Sequence, residues 1–192
     1  INPYGETKLI VENILKNLVI ADQKWSITSL RYFNPIGAHY SGLIGDDPSS
    51  SKKQNIIPSI IQVINGSKDH FEIFGNNYDT PDGTGIRDYI HVMDLAEAHI
   101  YALKNLLKNN GLQIFNLGTG KGYSVMDLLN TFEEVTGEKI PKVIMQKRKG
   151  DVSSCYADPK KAREILQWNT KIGLKEMCLS AWKFSNLNQA DK

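Results

Sequence analysis

The chain has 192 residues, 41% of them hydrophobic and 23% charged, with a formal net charge of +2. These proportions exclude a disordered tail, a collagen-like repeat and a disulfide scaffold, and so small a charge gives no general pull toward nucleic acid or a membrane surface. The two cysteines, Cys155 and Cys178, fit a reducing compartment such as the cytoplasm better than a secreted framework. No apolar run has the length of a bilayer span. The opening Ile-Asn-Pro-Tyr reads as the interior of a longer protein, so a fragment is expected.

Pro3 suits a first helical position, and Leu9, Ile10, Ile14, Leu15 and Leu18 follow at helical spacing, predicting a helix from about Tyr4 to Ala21. Trp25 to Phe33 is rich in β-branched and aromatic residues and predicts a strand, broken by Asn34-Pro35-Ile36-Gly37. Residues 38–54 are polar and predict a long loop. A helix is expected over Asn55 to Asn65, with Pro58 in its first turn, then a strand at Phe71 to Phe74 and a second loop over residues 75–85. Arg87 to Val92 reads as short and extended, and Met93 to Leu107 as a helix. Gln113 to Leu117 predicts a strand. Ser124 is placed to cap a helix from Val125 to Thr136, and Lys142 to Met145 predicts a further strand. Lys147 to Val152 is a charged loop. Asp158 and Pro159 begin a helix to about Leu166, and residues 174–186 form the last helix. Short strands alternating with helices place the chain in the α/β class.

Tyr4 and Lys8 stand four residues apart and share one helix face. A phenol titrates near ~10, and a neighbouring ammonium favours its phenolate, so the pair suits general base work near neutral pH. The spacing alone is common by chance, and an exposed Tyr and Lys on an ordinary helix is the plain alternative.

Three longer runs give that pair a context. They are Asn2-Pro-Tyr-Gly-Glu-Thr-Lys8-Leu-x-x-Glu12, Leu30-Arg-Tyr-Phe-Asn-Pro-Ile-Gly-Ala-His39 and Gly83-Thr-Gly-Ile-Arg-Asp-Tyr-Ile-His-Val-Met-Asp-Leu-Ala96. In this order they resemble the extended short-chain dehydrogenase/reductases, and among these the UDP-glucose 4-epimerases. The resemblance runs from the first residues to roughly Trp182. It implies the C-terminal part of a Rossmann-like, NAD-binding α/β enzyme with a small α/β substrate domain. Residues 1–34 would be a remnant of the NAD-binding domain. Residues 35–192 would mainly form the UDP-sugar domain, with some segments returning to the Rossmann sheet. It further implies interconversion of UDP-glucose and UDP-galactose, NAD as cofactor, and a homodimer formed through the tyrosine-bearing helix. The outer face of residues 9–20 should then be apolar and uncovered.

The same resemblance assigns Tyr4 and Lys8 to catalysis and cofactor binding, and Tyr32 and Phe33 to the nicotinamide and sugar. Asn34, Arg87 and Arg148 match diphosphate and uridine contacts, and Asp151 matches a carboxylate on the ribose. Gln54, Asn55 and Ile56 match the start of a helix near the diphosphate, a natural anion site. Glu72, Ile73 and Phe74 match a strand beside the uracil, and Tyr89 falls in the same matching region. Cys155 stands where bacterial relatives carry a bulky tyrosine. Its small size implies acceptance of N-acetylated UDP-sugars, against the plain alternative of a small side chain with no say in specificity.

Gly118-x-Gly120-x-Gly122 lacks the G-x-G-x-x-G spacing and is expected to be a tight strand-to-helix turn rather than a dinucleotide fingerprint. His39, His70, His91 and His99 have no metal-ligand spacing, and no metal is expected. Two other readings remain open: a UDP-binding fragment without catalysis, and a sugar-nucleotide dehydratase relative. Phe33-Asn34-Pro35-Ile36 argues against the second.

Overall fold

The computed structural model describes residues 3–47 and 55–189. Its helices are α1 (Pro3–Ala21), α2 (Ile56–Ile64), α3 (Val92–Leu106), α4 (Val125–Thr136) and α5 (Leu174–Gln189). Its strands are β1 (Ser26–Tyr32), β2 (Asn34–Ile36), β3 (Phe71–Phe74), β4 (Ile86–Arg87), β5 (Tyr89–His91), β6 (Gly111–Leu117), β7 (Tyr123–Ser124), β8 (Lys142–Met145) and β9 (Ser154–Cys155). β1 pairs with β6, β2 with β5 and β3 with β8, all parallel. β4 lies between antiparallel β7 and parallel β9.

Local chemistry accounts for several boundaries. Ser124 and Asp127 form a reciprocal capping box at the start of α4, and Gly137 ends that helix in the left-handed region at φ 75°. α2 buries Ile57, Pro58, Ile60, Ile61 and Val63, so packing rather than capping holds this short helix. α1 buries no side chain. Its Leu9, Ile10, Val11, Ile14, Leu18 and Ile20 are all exposed, as expected for the outer face of this segment.

Two expectations need correction. Asn34–Ile36 does not break the strand: it is β2, paired in register with Tyr89–His91. Pro35 is tolerated because parallel pairing there does not require its missing N–H. The predicted Asp158–Leu166 helix is mostly a π-helical turn, Ala162–Leu166, closed by Gln167 at φ 55°. Asp158 does accept the Lys160 N–H at 3.0 Å, as a cap would.

The partner exchange between β1 and β2 organises the molecule. Phe33 N–H still donates to Leu117 of β6 at 3.2 Å, while Asn34 N–H donates to Asp88 beside β5 at 2.9 Å. One continuous segment therefore leaves one sheet and joins another within two residues. A crevice opens where strands part company in this way. Two cores flank it. One packs α2, α4 and α5 around Phe71, Ile73 and Tyr89; the other packs α3 and β6 around Ile90, Phe115 and Trp168.

His91 joins these parts. Its Nδ1 accepts the Met93 N–H at 3.0 Å and so caps α3. Its Nε2 lies 3.0 Å from Ser180 Oγ on α5, and Ser180 Oγ accepts the Ala38 N–H at 3.1 Å. Burial holds the His91 imidazole below its ordinary pKa, against an opposing pull from Asp94. The unfolded chain therefore takes up a proton that the folded state refuses. The contribution is present above the unfolded value, about 6.5, and is lost as pH falls below it. Between pH 7.5 and 5.5 thermal unfolding should shift downward, by up to about 1.4 kcal/mol per pH unit for this group. His91→Gln should flatten that slope, as read by thermal melts across the range.

Candidate active site

A cavity of about 1490 Å³ lies at the carboxyl ends of β1 and β2. Phe33, Asn34 and Pro35 form one edge, because the strand turns there to change sheets. The first turn of α2 forms another, through Asn55, Ile56 and Ile57. Asn55 caps α2 by position without a side-chain bond to it; its amide instead donates to Asp46 at 2.9 Å. The first backbone N–H groups of α2 thus remain a locus of partial positive charge at the cavity wall.

Strand β3 supplies Glu72, Ile73 and Phe74 to the wall, in register with β8. Just after β8, Arg148 lays its guanidinium on the Phe74 ring, 3.7 Å from the centroid. Lys147, beside it, stands 4.1 Å from the Tyr78 ring centroid and donates to the Asn77 carbonyl at 2.8 Å. Two adjacent cations therefore clasp two aromatic rings on the facing segment.

Arg87 comes from β4, held between β7 and β9. Its Nη1 donates to the carbonyls of Ile86 and Val152 at 2.8 and 3.0 Å, and its Nη2 lies 3.8 Å from Asp151 Oδ1. These bonds aim a long side chain that would otherwise be mobile. Tyr89 lines the inner wall, and burial pushes its phenol above the ordinary range.

Loop 75–85 is wired rather than loose. Tyr78 N–H donates to Gly83 at 2.9 Å, and Thr80 Oγ1 to Thr84 at 2.8 Å. Asp82 accepts from Thr84 N–H, Thr84 Oγ1 and Ser124 Oγ. Burial raises the Asp82 pKa, but the bonds from Ser124 and Thr84 outweigh it and hold the carboxyl below its ordinary range. Gly83 has φ +78°, and a Cβ there would stand 2.1 Å from the Asn76 carbonyl oxygen, so only glycine closes this turn.

The Gly118-Thr-Gly120 turn wraps the Asp88 carboxylate and has no open anion site of its own: Thr119 and Gly120 both donate to Asp88 at 2.9 Å. The segment is a turn, as expected, but it leads from β6 into the two-residue β7, and α4 begins only after that strand.

Of the residues singled out from the sequence, Phe33, Asn34, Asn55, Ile56, Glu72, Ile73, Phe74, Arg87, Tyr89, Arg148 and Asp151 all border this cavity. Gln54 lies outside the described residues. Tyr4, Lys8, Tyr32 and Cys155 do not border it. Tyr4 is 72% exposed on α1, with Lys8 Nζ 4.9 Å from its ring centroid. Tyr32 Oη lies 2.9 Å from His99 Nε2 on α3. Cys155 is exposed on β9, in register with Arg87. Tyr78, Lys147, Asp82 and Asp88 were not anticipated. The partners that tie them to the site (Ser124 for Asp82, Lys147 for Tyr78, and Thr119, Gly120 and Ala157 for Asp88) are distant in sequence, and only the Asp-Gly turn signal at residues 82–83 hinted at any of them. Among the described residues no group of His, Cys, Asp or Glu is arranged to hold a metal, and no helix is long and apolar enough to cross a membrane.

The NAD dependent epimerase/dehydratase family matches residues 1–118. The UDP-glucose 4-epimerase of Bacillus subtilis (strain 168) is 49% identical over 187 residues, covering 97% of this chain and 55% of that protein. That of Homo sapiens is 47% identical over 187 residues, covering 97% and 53%. The crystal structure of UDP-glucose 4-epimerase from Bifidobacterium longum in complex with NAD+ and UDP superposes with a TM-score of 0.93 at 42% identity, over 98% of this chain and 56% of that one. The UDP-Glc/GlcNAc 4-epimerase from Campylobacter jejuni superposes with a TM-score of 0.75 at 34% identity, over 97% and 56%. The chain spans about half the length of the curated relatives it matches.

Proposed function

The chain belongs to the NAD dependent epimerase/dehydratase family and has its Rossmann-like α/β fold, and from that premise we propose that the protein carrying it interconverts UDP-glucose and UDP-galactose by epimerisation at C4, in galactose metabolism in the cytoplasm. The observation that carries this reading is the cavity. Arg87, Arg148 and the start of α2 bring positive charge to a wall that also offers an aromatic ring and backbone edges, a suitable receptor for a nucleoside diphosphate. Both the B. longum and the B. subtilis relatives are UDP-glucose 4-epimerases, the first of them holding NAD+ and UDP.

NAD is the proposed cofactor. The residues present suit its nicotinamide end: Tyr4 and Lys8 share one open helix face, and no side chain of α1 is buried. Bound there, NAD would supply the acceptance of hydride from C4 of the sugar and its return to the opposite face. Tyr4 takes the 4-hydroxyl proton and later gives it back. Lys8 supplies positive charge beside that phenol and holds the nicotinamide ribose, and Tyr32 and Phe33 line the sugar and nicotinamide. Asn34, Gln54, Asn55 and Ile56 serve the diphosphate, Glu72, Ile73 and Phe74 the uracil, and Asp151 the ribose. Anchoring at the UDP end by Arg87, Arg148 and Asp151 lets the 4-keto sugar turn over without escaping.

Residues 1–34 belong in this reading to the NAD-binding domain and 35–192 mainly to the UDP-sugar domain. The exposed apolar side of α1 suits a homodimer interface. Cys155 stands beside the cavity rather than on its wall, in register with Arg87 on β9, and by the resemblance its small side chain in place of a tyrosine is the feature that would admit UDP-GlcNAc as well. Cys155→Tyr should lower the UDP-GlcNAc to UDP-glucose rate ratio about tenfold. An unchanged ratio would remove Cys155 from the argument.

The activity is tested by following UDP-galactose by proton NMR with NAD+ added, using the protein carrying this chain and, in parallel, the 192 residues alone. UDP-glucose signals should grow with the first and not with the second, in whose 192 residues the G-x-G-x-x-G spacing does not occur. A 4-keto-6-deoxy product would move the assignment to a dehydratase. UDP binding without turnover in either tube would favour a binding protein.

A further inference from the structure

Asp88 is fully buried, and no cation lies within ion-pair distance of it among the described residues. Its two oxygens are nonetheless fully used. Oδ1 accepts the Thr119 N–H at 2.9 Å and the Thr119 hydroxyl at 2.6 Å. Oδ2 accepts the Gly120 N–H at 2.9 Å and the Ala157 N–H at 3.1 Å. A carboxylate that would be costly to bury unpaired is thus solvated by three backbone amides and one hydroxyl. The donors come from two segments far apart in sequence, the turn after β6 and the segment after β9.

Its backbone adds further ties. Asp88 N–H donates to Cys155 at 3.2 Å, and Asp88 C=O accepts the Asn34 N–H at 2.9 Å. Asp88 stands between Arg87 and Tyr89, both on the cavity wall, and its C=O bond is the one that draws Asn34 out of the first sheet. The space around it is closed: a Cβ on Gly118 would lie 2.5 Å from Asp88 Oδ2 and 2.6 Å from Ala157 Cβ.

We propose that Asp88 is a positioning residue for the nucleotide end of the cavity, a buried carboxylate that locks the Gly118–Gly120 turn and the β9 segment onto β4 and so aims Arg87 and Asn34. This rests on the reading of the cavity as the UDP-sugar site. Asp88 itself contacts no substrate. It acts because β4 has only two residues, too few for its own ladder to define a direction. The pairings to β7 and β9 define it, and Asp88 holds the segment that follows β9.

Asparagine at this position has the same shape but the wrong donors. Whichever way its amide turns, at least one backbone N–H faces an N–H. In the protein carrying this chain, Asp88→Asn should raise KM for UDP-galactose and Kd for UDP together by about tenfold or more, with kcat changed far less. Thr119→Val removes a single donor and should move both constants the same way by about threefold. Thr119→Ser keeps the hydroxyl and should restore them, which keeps the proposal testable if Asp88→Asn fails to fold. A lower melting temperature with KM and Kd unchanged in the folding variants would overturn it. If the unsubstituted protein binds UDP but does not epimerise, the reading of the activity fails, while the UDP affinities of the variants still decide the role of Asp88. If it binds no UDP, both fail.

Discussion

Tyr4→Phe in the protein carrying this chain is expected to lower turnover of UDP-galactose by about 10²–10⁴, with UDP affinity within about twofold of the unsubstituted protein. The change removes one oxygen, and that oxygen is the proton acceptor of the proposed reaction. Little else should follow. Tyr4 is 72% exposed, and α1 buries no side chain, so the fold loses no packing. Nor does Tyr4 border the cavity that would hold the nucleotide. Single-turnover rates and UDP titration by calorimetry separate the two effects. Strongly weakened UDP binding would contradict the role given to Tyr4, and near-normal turnover would remove it from the chemistry.

Arg87→Met should act in the opposite way, weakening UDP and UDP-sugar binding by about 100-fold and leaving kcat at saturation within about threefold. Methionine keeps most of the apolar stem while removing every donor. Stability should fall only modestly, by about 1 kcal/mol, because the Ile86 and Val152 carbonyls lose a donor while the Asp151 pair, at 3.8 Å with a 40% exposed carboxylate, contributes little. The loss falls instead on whatever anion faces the guanidinium. Affinity measured at low and high salt would check the electrostatic origin: the ratio between the unsubstituted protein and the Arg87→Met variant should shrink as salt rises. Unchanged UDP affinity would mean that Arg87 only closes the β4–β9 strands.

Helix α4 shows how far local rules reach. Ser124, Asp127 and Gly137 specify its start and end within the segment itself, and the boundaries read from the sequence match the structure. β3, β8 and α1 were legible for similar reasons of period and punctuation. Phe33-Asn34-Pro35-Ile36 was not. A proline after an asparagine is a sound turn signal, yet here it lies in a strand whose partner, Tyr89–His91, is more than fifty residues away. β5 and half of β4 fall within the segment read as extended, Arg87 to Val92, but their division into two strands and the two-residue β7 and β9 were out of reach, since strands so short have no period to detect and exist only because they find partners.

The site divides along the same line. Within the three runs lie Phe33, Asn34, Arg87 and Tyr89 of the cavity wall, and the family resemblance those runs carry pointed further to Asn55, Ile56, Glu72, Ile73, Phe74, Arg148 and Asp151. The sequence by itself therefore determined the family, the α/β class and which cations are available. Only the tertiary structure decided that Arg148 stacks on Phe74, that Lys147 holds Tyr78, and that the glycine turn after β6 closes around the carboxylate of Asp88. The physical reason is separation. Caps, periods and turns act between residues a few positions apart and leave a mark in the sequence, whereas these contacts join residues 31 to 74 positions apart, which come together only once both cores have packed.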